Sequence, residues 1–290
     1  MDIIASNWLD YECIDAGDGE KLDRWNSIVL RRPDPTAIWP TDKNSKDWKN
    51  AHAHYHRSKQ GGGKWDFHKS LKDSWTISYK ELVFKVSPTG FKHTGLFPEQ
   101  AANWDWMMEQ IRNANRPIKV LNLFAYTGGA SMACAAAGAA EVVHVDAAKG
   151  MVAWAKENMN LSHLEHRKIR FIVDDVMKFV EREKRRGNRY DAIIMDPPSY
   201  GRGPNGELWK LEEQLYPLVQ NCVELLSDQP LFLLVNSYTT GFSTLALDNV
   251  LKQTALKKFK KGSIQTGAIG LPISRNNLIL PCGIYGRFYL

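Results

Sequence analysis

Two spacings of hydrophobic and polar positions run through this chain. From residue 119 onward, short runs rich in Val, Ile, Leu and Phe recur at Val120–Phe124, Glu141–Val145, Ile169–Val173, Asp191–Met195 and Leu231–Val235. Apolar runs of that length, bounded by turns and acids, predict strands buried on both faces of a parallel sheet. Between them lie stretches with apolar residues at helical spacing: Ala130–Ala137, Lys149–Leu161, Val176–Arg185, Leu208–Leu226 and Ser243–Thr254. A further helix is predicted at Ala101–Ala114, with Pro98 in its first turn and Glu99 near its positive end. The last segments, Ser263–Ile269 and Leu278–Tyr289, read as an antiparallel pair. Alternating β and α segments of this kind predict an α/β fold.

Residues Met1–Gly95 have a different texture. They hold six of the ten tryptophans and turn signals such as Gly17-Asp18-Gly19 and Arg32-Pro33-Asp34-Pro35. Asn26–Arg31 and Thr76–Val86 are strand candidates, and the region is predicted to be a small β-rich domain, residues 1–95, ahead of a larger one, residues 96–290. The polar segment Thr41–Lys64, with Gly61-Gly62-Gly63, is predicted to be a long loop or flap. His52, His54 and His56 alternate within it and would share a face of an extended chain. No Cys or acid beside them completes a metal site, so none is expected. Trp39, Trp48, Tyr55, Arg57, Lys59, Lys64 and Trp65 mix aromatic and basic character. Such a mixture suits stacking on nucleic acid, and equally a Trp-rich packing layer.

Composition narrows the classes. The 290 residues suit one large domain or two unequal ones. The net charge of +6 is compatible with a nucleic-acid partner and with an ordinary surface. Four scattered cysteines, Cys13, Cys134, Cys222 and Cys282, form no C-x-x-C pair, which argues against a disulfide framework or a structural zinc site. The start, MDIIASNWLDYE, lacks signal-peptide features, and the apolar runs have strand length, so neither export nor membrane spanning is expected. The setting these features imply is cytoplasmic.

The chemistry concentrates in Lys119–Asp146. A strand leads into the turn Tyr126-Thr127-Gly128-Gly129, then a small-residue helix, then a second strand ending on Asp146. A Gly turn lets backbone N–H groups approach a ligand, and an acid at the end of the next strand can accept hydrogen bonds from two ribose hydroxyls. This points to a nucleoside-containing cofactor; the alternative is a βαβ unit without a ligand. The third Gly of a dinucleotide fingerprint and the GK[ST] of a phosphate loop are missing. The turn instead resembles motif I of the class I S-adenosylmethionine (SAM) methyltransferases, in which it holds the amino-acid end of the cofactor.

Later motifs extend the resemblance. Asp174-Asp175 followed by Val176-Met177 resembles the adenine-binding motif, with Asp175 placed by spacing on the exocyclic amine, Val176 supplying a backbone N–H, and Asp174 the alternative helix cap. Asp196-Pro197-Pro198-Ser199-Tyr200 resembles motif IV of methyltransferases acting on base nitrogens. The segment FKHTGLFPEQ before motif I is similar to the GLFLDQR stretch of a bacterial family of large-subunit ribosomal RNA methyltransferases, cytosine-C5 and guanine-N7 types. Pro98-Glu99-Gln100 stands there for Leu-Asp-Gln, and Ala101 for Arg. The resemblance implies a Rossmann-like seven-stranded sheet with helices on both faces. It implies SAM as cofactor, with Phe97, Gln100, Phe124, Tyr126, Thr127, Gly128, Gly129, Asp146, Ala147, Asp175, Val176 and Asp196 along it. Asp196, Pro197 and Tyr200 are then the catalytic set, and Tyr200, Arg202 and Asn236 face the substrate.

The C5 branch needs a thiolate just after the fifth strand. Val235–Gly241 contains no Cys, and neither Cys134 nor Cys222 is placed like that nucleophile. Transfer to a base nitrogen of RNA, ribosomal RNA foremost, is therefore the reading. A protein or small-amine methyltransferase, and a non-catalytic RNA-binding protein with a relic cofactor fold, remain alternatives. A monomer and a homodimer are both compatible with the sequence.

Overall fold

A computed structural model describes residues 1–58, 62–203 and 206–290. They form two compact units: Met1–Ile3, Asn103–Ala268 and Gly283–Leu290 in the first, Ile4–Ala102 and Ile269–Cys282 in the second.

The first unit is built on a sheet with strands β1 (Lys119–Leu123), β2 (Glu141–Asp146), β3 (Ile169–Val173), β4 (Ala192–Met195), β5 (Phe232–Ser237), β6 (Ser263–Pro272) and β7 (Ile279–Tyr289). Their order is β6-β7-β5-β4-β1-β2-β3, with the two-residue strand Ile3–Ile4 beyond β6. Strands β1 to β5 pair in parallel, while β7 runs antiparallel to β5. The chain reverses strand order between β3 and β4. That places a crevice at the carboxyl ends of β1 and β4, where α/β sheets bind ligands.

The helices are α1 (Ala101–Asn113), α2 (Gly129–Ala136), α3 (Lys149–Leu161), α4 (Val176–Arg185), α5 (Leu211–Leu225) and α6 (Thr244–Leu251). On one sheet face Leu121, Leu123, Val143, Val145, Ile193, Met195, Leu233 and Val235 pack with Phe179 and Val180 of α4, Leu215 and Val219 of α5, and Leu247 and Leu251 of α6. Each fully buried aliphatic side chain of this kind contributes about 1.5–3 kcal/mol. The opposite face meets α1 and α2: the rings of Trp106 and Phe232 lie 5.1 Å apart, and Asn122 bonds Ser131. Trp104 of α1 lies where a Cβ on Gly129 would sit only 2.6 Å from its ring. Glycine at the start of α2 therefore lets α1 pack closely.

Ser243 caps α6, its Oγ accepting from the Leu245 N–H at 3.1 Å. The helix predicted to run on to Thr254 changes at Lys252–Leu256 into a π turn. The segment predicted as one helix from Leu208 divides: Leu208–Lys210 is a strand and α5 begins at Leu211.

The second unit holds a five-stranded sheet, Tyr11–Gly17, Glu20–Trp25, Ile28–Pro33, Ala53–Arg57 and Gly63–Phe67 in that order, and a hairpin, Trp75–Tyr79 with Leu82–Val86. The β-rich character predicted from the sequence is present, with corrections. Thr76–Val86 is two strands around Lys80, whose φ is +51°. Thr41–Lys64 is not a single loop: it contains the helical turn Lys46–Lys49 and the strand Ala53–Arg57. Trp48 is buried and donates its indole N–H to Asp15 at 2.8 Å. Gly63 pairs with Arg57 so closely that a Cβ there would collide with the His56 carbonyl. Gly61 and Lys59 lie outside the described residues. Tyr55 is buried and Trp39 donates to the Ala16 carbonyl at 2.6 Å, so Trp39, Trp48 and Tyr55 are packing residues rather than a stacking platform. An ion pair between Asp23 and Arg32 is buried in the same unit, with Tyr11 donating to Asp23 at 3.2 Å.

Candidate active site

The parallel register brings the chemistry to one edge. Leu123 pairs with Val145 and Met195, Met195 with Val235, and Asp146 with Val173. Phe124, Asp146, Val173 and Asp196 therefore stand at one level on four adjacent strands, with Asp174 one residue beyond. At the usual interstrand spacing those strands span roughly 14 Å.

The turn after β1 is held by this edge. Its Asp146 oxygens accept one backbone N–H each, from Tyr126 and from Ala148, both at 2.8 Å. Ala125 N–H bonds the Val145 carbonyl at 3.0 Å. Phe124 and Tyr126 have φ of +53° and +51°, and Gly128 has +87°. Left-handed backbone at two bulky residues costs energy and is kept where surrounding bonds over-determine it. A Cβ on Gly128 would lie 3.1 Å from that of Ala155 in α3, so the turn rests directly on this helix. Buried Asn158 of α3 donates to the Thr127 carbonyl at 2.9 Å. Beneath the turn, Asn122, Ser131 and His144 form a buried polar chain with links of 2.9 and 3.0 Å. Burial pushes the Asp146 carboxyl above its ordinary pKa, against the pull of its two backbone donors. Each oxygen spends one lone pair on the backbone, leaving others for a ribose hydroxyl pair. The donor set and the tight Gly128 cradle fit a nucleoside cofactor.

At the end of β3 the structure assigns the cap. Asp175 Oδ1 accepts from Lys178 N–H at 2.9 Å and caps α4, whereas Asp174 pairs with Arg182. The alternative that gave the cap to Asp174 is corrected: Asp175 sits at the N-cap position with extended backbone, and Asp174 one residue earlier cannot reach the third helical N–H. A Cβ on Gly203 would lie 2.9 Å from Asp175 Oδ2, so that loop crosses close to the second carboxylate oxygen.

After β4 the chain delivers Asp196, half-buried, then buried Pro197 and exposed Pro198. Trp209 donates its indole N–H to the Pro198 carbonyl at 2.6 Å, and its ring lies 4.9 Å from that of Phe124. One side chain thus touches both the motif-IV loop and the residue opening the cofactor turn. Ser199 Oγ bonds Thr239 Oγ1 at 2.7 Å, tying the same loop to the segment after β5. Tyr200 is 57% exposed. Tyr200–Arg202 pairs antiparallel with Leu208–Lys210. Pro204 and Asn205 fall outside the described residues. Arg202 is exposed on the first strand of that pair.

Asn236, expected at the substrate, lies in the interior. It is buried, and its side-chain carbonyl accepts from Asn103 at 2.9 Å, while Asn103 in turn accepts from Arg287 at 2.6 Å. It points to the α1 side because it alternates with Val235, which faces the other core. Ala147 and Val176 follow Asp146 and Asp175 directly at the edge. Phe97 and Gln100 belong to the second unit, at the short turn Pro98–Gln100.

The cysteines are unsuited to nucleophilic attack. Cys134 and Cys222 are fully buried, and burial pushes the Cys134 thiol up to about 12 and that of Cys222 further. In the second unit His52 accepts from Val29 N–H at 3.2 Å, His54 meets Glu20 at 2.8 Å, and the His56 ring lies tilted against that of His54, their centroids 3.9 Å apart. Among the described residues no group of three or more His, Cys, Asp or Glu is placed to hold a metal ion. No helix among them is long and apolar enough to cross a membrane.

Comparison with known proteins agrees with this geometry. The family model for S-adenosylmethionine-dependent methyltransferases matches residues 36–228. The crystal structure of a SAM-dependent methyltransferase from Agrobacterium tumefaciens is 36% identical, with a TM-score of 0.93 over 100% of this chain and 93% of that one. The structure of a putative methyltransferase complexed with SAH shares the fold at 19% identity, with a TM-score of 0.74 over 97% of this chain and 76% of that one. A ribosomal RNA large subunit methyltransferase K/L from Shewanella frigidimarina is 32% identical over 145 residues, 50% of this chain. The chain spans about a fifth of that relative's length, 20%.

Proposed function

The chain belongs to the S-adenosylmethionine-dependent methyltransferase family, and from that premise we propose that it methylates a base nitrogen of RNA, with ribosomal RNA the foremost acceptor. The observation that carries the proposal is the shared edge: the Asp146-anchored turn and the Asp196 loop emerge from neighbouring strands of one parallel sheet. In this reading Asp146 binds the ribose, the Tyr126–Gly129 turn holds the methionine end, and the second carboxylate oxygen of Asp175 meets the adenine amine with Val176 beside it.

The cofactor supplies an electrophilic methyl group on a sulfonium. The chain's part is to place a weak nucleophile in line with it. An exocyclic base amine has a delocalised lone pair. The Asp196 carboxylate and the Pro197 carbonyl would each accept one of its hydrogens, concentrating that pair toward the methyl carbon. Asp196 would also take the proton that the amine releases on gaining the methyl group. Most of the acceleration then comes from orientation. Exposed Tyr200 offers a face on which an extruded base can stack, and Arg202 on the same hairpin a phosphate contact. The buried, neutral thiols and the Cys-free segment after β5 favour nitrogen over ring carbon. The name of the Shewanella relative supports an RNA acceptor. The proposed setting is the cytoplasm.

The test is transfer of tritiated methyl from SAM to total RNA, protein and small-molecule extracts, followed by mass spectrometry of ribosomal RNA from cells lacking the gene. Label in an RNA base, and loss of one methylated base in those cells, is the expected result. Label in protein or small amines alone overturns the acceptor.

A further inference from the structure

Trp39, Trp48 and Tyr55 are spent on packing, but the aromatic series of the second unit continues to its surface. The strand Gly63–Phe67 is last in the five-stranded sheet and forms an edge. Buried Tyr55 meets Trp65 edge-on, their ring centroids 5.3 Å apart. Half-buried Trp65 stacks with Phe67, at 6.4 Å and 28° between planes. Residues two apart on a strand share a face, so the two rings stand on the same side. The outer one, Phe67, is 53% exposed. Trp65 is held in place by its indole N–H, which donates to the Thr89 carbonyl at 2.8 Å.

Phe67 also lines a groove of about 460 Å³ together with Lys69, Ser70, Lys72, Asp73 and Ser87. Sites that take one small ligand have roughly 300–1,000 Å³. The walls are tied together: Ser87 Oγ donates to the Asp73 carbonyl at 2.6 Å. Lys69 Nζ donates to the Asn50 carbonyl at 3.0 Å, which fixes the side chain and leaves it two further N–H donors. Lys72 is exposed. Among the described residues of Ala53–Asp73, the cations Arg57, Lys64, Lys69 and Lys72 face only the carboxylates of Asp66 and Asp73, and Asp66 lies 3.5 Å from His68. An open aromatic face beside a positive groove is the pattern that holds single-stranded nucleic acid, because every base has a face to stack and every link a phosphate. A protein partner is a poorer match, since lysine is depleted at the centres of such interfaces.

The geometry points to this face of the second unit as a platform for single-stranded RNA. A base stacks on Phe67 and extends the Tyr55–Trp65–Phe67 series, while Lys69 and Lys72 hold the adjoining phosphates. This rests on RNA as the methyl acceptor and adds a binding surface to that reading.

The test uses the full chain and a short fluorescein-labelled single-stranded RNA of mixed sequence, followed by anisotropy. Phe67→Ala should weaken binding roughly 5- to 100-fold, and Phe67→Trp should keep it. Lys69→Gln combined with Lys72→Gln should reduce the slope of log affinity against log salt by about 1.4. SAH affinity by calorimetry should stay unchanged in all of these variants. RNA affinity unchanged in both Phe67→Ala and the lysine pair, while wild type still transfers methyl to RNA, overturns the inference and leaves the acceptor standing. So does a wild-type dimer in sedimentation that Phe67→Ala dissolves without loss of RNA affinity, which would give the face to a second copy of the chain. Equal competition by a duplex of the same sequence also overturns it, since paired bases offer no face to Phe67. Wild type that neither binds RNA nor labels it would sink the RNA acceptor, and the platform with it.

Discussion

Replacing Asp146 by Asn tests how the cofactor turn is built. The carboxylate receives two backbone N–H groups at 2.8 Å, one on each oxygen. An amide offers one acceptor and one donor, so one of these N–H groups would face an NH2. Loss of one bond to a charged acceptor costs about 1.5–3 kcal/mol, equivalent to roughly a 10- to 150-fold fall in affinity if it is felt in the ligand complex. The effect on folding should be smaller. Burial raises the Asp146 pKa, so the folded chain holds that proton more tightly than the unfolded chain does. Stability from this group is full below the unfolded pKa and is lost as pH rises through the folded one; at neutral pH the ionised form is a cost that Asn removes. Asp146→Asn should therefore bind SAM at least tenfold more weakly by calorimetry while its melting temperature changes little. In the wild type, SAM affinity should fall as pH drops through the raised carboxyl pKa. Unchanged affinity, or a melting temperature that falls in step with affinity, would refute the reasoning.

Trp209→Phe keeps a ring against Phe124 and removes the N–H bonded to Pro198. The single-turnover methyl-transfer rate should fall roughly tenfold with SAM affinity unchanged, and equal losses in both would contradict a role confined to the motif-IV loop. Asp23→Asn leaves Arg32 buried without its ionic partner, since both side chains are almost fully enclosed. Chemical denaturation should show a loss of about 3–5 kcal/mol, and a loss below ~1 kcal/mol would show that the pair contributes little.

The parallel strands were legible because strands buried on both faces are continuous apolar runs, and Val120, Leu121, Val142, Val143, Ile193 and Ile194 are all fully buried or nearly so. The same runs, together with the Gly turn and DPPSY, carried the family assignment. What escaped was short or distant in sequence. Strands of three residues, such as Tyr200–Arg202, are too short to show a period. Ala53–Arg57 buries Ala53 and Tyr55 while presenting His56 and Arg57 to solvent, so its polar letters resembled a loop. The assignment of Ile269–Cys282 to the second unit rests on contacts far apart in sequence. Trp209 was absorbed into the following helix because Leu208 and Leu211 flank it at spacings a helix also allows. The interior setting of Asn236 was not legible either, because its partner Asn103 lies 133 residues earlier in the chain.

The account stands most directly on Asp196. Single-turnover transfer of tritiated methyl to RNA, measured for wild type and Asp196→Ala alongside SAH calorimetry, separates chemistry from binding. The prediction is a fall in transfer of roughly 100-fold or more with SAH affinity little changed. Wild-type transfer rates in the variant would contradict the claim that this carboxylate orients the nucleophile.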